Sequence, residues 1–90
     1  MTPEERDAAV AELMAHVQEP RKRLLGNLLA FTPEASQLFA AGYVYEAFQK
    51  VKEYSAAGKL RVSVPIDIDH FLGQVLQNMP STYQYATSAT

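Results

Sequence analysis

Every second residue from Leu60 to Ile68 is aliphatic: Leu60, Val62, Val64, Ile66 and Ile68 alternate with Arg61, Ser63, Pro65 and Asp67. Period two places the apolar set on one side of an extended chain. Valine and isoleucine suit a strand, and Pro65, which cannot donate to a ladder, belongs at an edge or near an end. The run therefore predicts one extended or β segment, and a lone strand is a liability. Its backbone groups need partners, and an open edge invites another chain. Two solutions carry similar weight. The strand pairs with its own copy across a two-fold axis, or no strand forms and the segment runs extended over the helices. A third ranks lower: Thr82–Thr87 folds back across the last helix to pair with it.

The remainder of the chain reads at helical spacing. Thr2-Pro3-Glu4-Glu5 joins a capping threonine, a proline suited to the first helical position and a carboxylate where a capping box wants one. Val10, Leu13, Met14 and Val17 make a narrow apolar stripe, with the helix expected to reach about Glu19 because Pro20 disfavours helical geometry before it. Leu24, Leu25, Leu28 and Leu29 then define a broad face. Val10, Val17, Leu24 and Phe31 fall seven apart, but a proline interrupts the seam, which argues against a coiled coil. Thr32-Pro33-Glu34 repeats the start signal and predicts a third helix ending at Gly42. From Tyr43 to Ala57, Val44, Ala47, Phe48 and Val51 share a face opposite Glu46, Gln49, Lys50 and Glu53, and Glu46–Lys50 has the spacing of a helical ion pair. Gly58 ends that helix. Asp67 or Asp69 caps a last one, carrying Phe71, Leu72, Val75, Leu76 and Met79. The fold expected is mainly α: a compact bundle of four to five short helices with one extended segment near Leu60–Ile68. It forms one domain over residues 1–81, with a flexible tail over 82–90.

Ninety residues make one domain with one core. There is no cysteine, so disulfides, thiolate nucleophiles and cysteine-bound zinc are excluded within these residues, and stability must come from packing or association. The start, Met1 to Asp7, is polar and acidic, unlike a signal peptide, and no apolar run approaches membrane-spanning length. The expected location is cytoplasmic, with no membrane partner. Net charge is −2 but unevenly spread. Residues 1–19 set Arg6 against Glu4, Glu5, Asp7, Glu12 and Glu19. Residues 20–66 carry Arg21, Lys22, Arg23, Lys50, Lys52, Lys59 and Arg61 against three glutamates. The acidic first helix and the basic middle could attract each other within one chain or between two, although ordinary solvated faces remain the simpler explanation.

Few residues suggest chemistry. Asp67, Asp69 and His70 are hard ligands, but neighbours in one turn rarely converge on a metal, and aspartate there is what a helix cap requires. His16 falls off the apolar stripe and has no nucleophile near it in sequence. The four glycines stand too far apart for a phosphate loop. No metal, cofactor or catalytic residue is assigned. Arg21, Lys22 and Arg23 are the best anion- or partner-binding candidates, a basic cluster that could grip phosphate or an acidic surface; they sit at a helix start where the dipole disfavours positive charge, a small hint of another use beside the simpler reading of a solubilising patch. Residues 32–57 could form a helix-turn-helix, but Tyr43-Val44-Tyr45-Glu46 is a poor set for reading base edges, so nucleic acid is not favoured. Of five tyrosines, Tyr43 and Tyr45 point to different sides of one helix, so one of them is a contact candidate.

The expected function is that of a small non-catalytic interaction module: a regulator, inhibitor or accessory subunit. It would dock on another protein, as a homo-oligomer with a dimer favoured and Leu60, Val62, Val64 and Ile66 as the oligomer strand. The alternatives are an oligomeric binder of a small anionic ligand such as a nucleotide, and, further down, a small enzyme or metal-binding protein using Asp67, Asp69 and His70.

Overall fold

Two left-handed glycines set the frame. Gly42 has φ +92° and Gly58 has φ +71°, a region that residues with a Cβ rarely enter. Each closes a helix in the same way. Gly42 N donates to Phe39 O at 3.0 Å and Tyr43 N to Leu38 O at 2.9 Å; Gly58 N donates to Ser55 O at 3.0 Å and Lys59 N to Tyr54 O at 2.9 Å. These are complete Schellman closures, satisfying carbonyls that a helix end would otherwise strand. The side-chain contact that accompanies such closures is visible at the second, where Lys59 Nζ lies 5.6 Å from the centre of the Tyr54 ring.

The computed structural model describes residues 2–60 and 66–84. Six helices follow in order: α1 Pro3–Met14, α2 Arg21–Ala30, α3 Pro33–Ala40, α4 Val44–Ala56, α5 Ile68–Gln77 and α6 Ser81–Gln84. α3 and α4 form the spine. α1 and α2 pack on α3, and α5 and α6 pack on α4. The radius of gyration is 12.2 Å, the value of about 12 Å expected for a compact domain of this length.

The core is built from the faces that helical spacing marked out. Leu25, Leu28 and Leu29 of α2, Ala35 and Phe39 of α3, Val44, Ala47, Phe48 and Val51 of α4, and Leu72 and Val75 of α5 are all buried. Phe39 stacks on Phe48, ring centres 6.1 Å apart and planes 23° from parallel, across the α3–α4 contact. Such a pair adds about 0.5–1.5 kcal/mol beyond the area it buries. In α1 only Leu13 is fully buried, so this helix is the least anchored of the longer ones.

The structure corrects the sequence reading at several points. α1 stops at Met14 rather than near Glu19. Ala15, His16 and Val17 donate to Glu12, Leu13 and Met14, tightening the chain into 3₁₀-type bonds that end the helix while still burying Val17. Among the described residues six helices stand where four to five were expected, the sixth being Ser81–Gln84 at the start of the anticipated tail. The anticipated strand falls largely on residues 61–65, which lie outside the described residues. No strand occurs among those described, and Ile68 is the first residue of α5, because the Asp67 carboxylate accepts from His70 N at 3.1 Å and starts a helix there. Lys50 reaches Glu34 of α3 at 3.8 Å as well as Glu53 at 3.4 Å, a cross-helix pair that spacing along α4 cannot reveal.

Candidate functional site

Arg21, Lys22 and Arg23 form the first turn of α2. No side chain caps this helix; Pro20 stands at the cap position. Lys22 Nζ lies 3.9 Å from Glu19 Oε1 across the preceding turn. Arg21 is half-buried and Arg23 exposed, and neither makes an ion pair among the described residues. Two guanidinium groups thus stand at the positive end of a helix dipole with no ion-pair partner among the described residues.

Tyr43 and Tyr45 part company, as their positions on the helix require. Tyr43 sits at the cap position of α4, half-buried, its N–H spent on Leu38. Tyr45 is 47% exposed and Phe31, which ends α2, is 52% exposed; among the described residues they are the two large hydrophobic residues left outside. Phe31 was legible only as a member of the heptad-like seam. Its exposure comes from its place at the C-cap of α2, where the apolar face has already turned inward.

Directly before Phe31, Ala30 lines an open groove of about 420 Å³ between α1, α2 and α3. Val10, Gly26, Leu29 and Pro33 supply its apolar lining, and Ser36, Gln37 and the pair Arg6 and Asp7, 3.6 Å apart, its polar lining. Gly26 contributes space rather than a turn: a Cβ there would touch the Met14 methyl at an ordinary 3.6 Å. Nothing in the sequence pattern marked this groove, because it is made by three helices that do not fill the space between them.

The remaining candidates do not converge. Asp67 is committed to capping α5, while Asp69 and His70 are exposed on its first turn. Among the described residues, no three histidine, aspartate or glutamate side chains come together in a way that could hold a metal. Of the expected oligomer strand, Leu60 and Ile66 are half-buried and Val62 and Val64 lie outside the described residues. His16 is exposed in the turn after α1, with its ring centre 6.4 Å from that of Tyr83. The order α3, Ala41-Gly42-Tyr43, α4 is that of a helix-turn-helix. Lys50 on α4 lies 3.8 Å from Glu34 and 3.4 Å from Glu53. Among the described residues no helix is long and apolar enough to cross a membrane.

No known protein family matches this chain, and no curated protein or solved structure proved similar to it.

Proposed function

We propose that this protein is a small non-catalytic interaction module, a regulator, inhibitor or accessory subunit that works by docking on another macromolecule. The observation that carries the reading is Phe31. It stands 52% exposed at the end of α2, one residue after Ala30, which lines an open groove of mixed polar and apolar character, although the core closes without it. A single exposed apolar residue is ordinary, whereas an exposed aromatic next to an unfilled groove has the form of an interface centre. Tyr45, 47% exposed on the first turn of α4, adds a second side chain with an apolar body and a polar tip.

The test is affinity capture from the source cells with the full chain and with a Phe31→Asp/Tyr45→Asp variant. Neither substitution touches the buried core, so the variant keeps its helical circular-dichroism signal. The reading expects a defined partner held by the wild-type chain and lost by the variant. Equal capture by both, or by neither, contradicts it.

Arg21 and Arg23 support a second reading, an oligomeric binder of a small anionic ligand such as a nucleotide. Their lack of an ion pair among the described residues, at a helix N-terminus, favours it. A ligand that binds the folded state must raise the melting temperature. A thermal shift with nucleoside phosphates, abolished by Arg21→Glu/Arg23→Glu, is the expected result, and no shift with the wild-type chain removes this reading.

A further inference from the structure

We infer that the groove between α1, α2 and α3 is a self-association face, occupied by a second copy of this chain whose acidic α1 meets the basic start of α2. The inference rests on the docking reading and names its partner.

Charge complementarity identifies the occupant. α1 carries Glu4, Glu5, Asp7 and Glu12 against Arg6 alone. Its one ion pair is internal, Arg6 to Asp7, and no ion pair joins it to another element among the described residues. Arg21 and Arg23 likewise make no ion pair among the described residues. The fold therefore separates an acidic helix from a basic helix start and discharges neither against the other. A two-fold arrangement lets each copy offer both, so that α1 of one meets α2 of the other twice over, the self-complementarity an isologous interface requires.

The charges alone would not hold a dimer, since exposed ion pairs contribute about 0–1 kcal/mol each. They select and orient the partner, while apolar burial supplies the affinity. Val10, Leu29, Ala30 and Pro33 line the unfilled groove, and Phe31 projects into solvent immediately after Ala30. α1 buries only Leu13 on its own chain, fewer residues than any of α2 to α5.

The experiment is sedimentation equilibrium of the full chain at about 50 mM and about 500 mM salt, where screening lengths differ severalfold. It is repeated with Glu4→Lys/Glu12→Lys, with Arg21→Glu/Arg23→Glu, and with an equimolar mixture of the two variants, each checked for its helical signal. The inference expects a wild-type dimer whose Kd rises by about tenfold or more between the two salts. It expects each variant alone to be monomeric and the mixture to regain a one-to-one heterodimer. A wild-type monomer at both salts, a Kd indifferent to salt, or two folded variants whose mixture stays monomeric would each overturn it. If a variant loses its helical signal, the salt dependence of the wild-type chain decides. A monomeric wild-type chain that still captures a different macromolecule through Phe31 overturns this inference and leaves the docking reading standing.

Discussion

The Thr32 hydroxyl donates to the Leu28 carbonyl oxygen at 3.1 Å, closing the end of α2 from a fully buried position. Thr2, which opens an identical Thr-Pro-Glu triplet, faces the other way along the chain: its oxygen accepts from Glu5 N at 3.1 Å and caps the start of α1. Thr32 makes no such bond to α3. Its replacement by valine keeps the shape but removes a donor from a buried carbonyl, at a cost of about 1–2 kcal/mol, or roughly 4–8 °C in Tm per kcal/mol for a domain of this size. Thr32→Ser should recover most of that loss. Thr2→Ala should cost about 0.5–1 kcal/mol and speed amide exchange in the first turn of α1 alone. A Thr32→Val protein that melts with the wild type would show that the Leu28 bond contributes nothing.

The glycines divide by backbone geometry. Gly42→Ala and Gly58→Ala both force a Cβ into positive φ and should destabilise by about 1 kcal/mol. The loss at Gly42 should be the larger, because φ +92° lies further from the left-handed well; the new Cβ would meet the Tyr83 ring only at an ordinary 3.7 Å. Gly73 lies inside α5, and a methyl added there would meet nothing within 4 Å among the described residues outside its own helix backbone. Gly73→Ala should therefore stabilise by about 0.4–1 kcal/mol through the unfolded chain. Chemical denaturation of the three variants checks the order; a destabilised Gly73→Ala would contradict it.

Tyr83 fastens the last turn. α6 has no fully buried residue, yet Tyr83 packs on the hydrophobic core, and the Gln84 side-chain amide donates to Met79 O at 2.7 Å. In Tyr83→Ala, hydrogen exchange should become fast across 81–84 while α3 and α4 keep their protection, since local opening need not follow global stability. Loss of protection in α3 and α4 would mean that α6 is part of the cooperative core.

Much of this fold is written in local signals. Gly42, Gly58, Thr2 and Asp67 mark real helix ends, and the apolar faces of α4 and α5 are buried as spaced. These features depend on neighbours within a turn, which a sequence displays. What a sequence hides is the choice between equivalent local options. Thr32 could bond forward or back, and burial against α2 decides for Leu28. Lys50 could satisfy its charge along α4, but the α3–α4 contact brings Glu34 within reach. Of the candidate site, Arg21, Arg23 and Tyr45 were readable as residue types. The groove beside Phe31 was not, because empty space between three helices has no sequence pattern.

The docking reading is tested most directly by native mass spectrometry of the full chain recovered gently from its source cells, beside a Phe31→Asp chain recovered in the same way. The wild-type chain should appear in an assembly of fixed stoichiometry heavier than its own 10.0 kDa, as a second copy, another macromolecule or both, and the Phe31→Asp chain should appear alone. A wild-type chain found only at 10.0 kDa, or an assembly that Phe31→Asp leaves intact, would contradict the account.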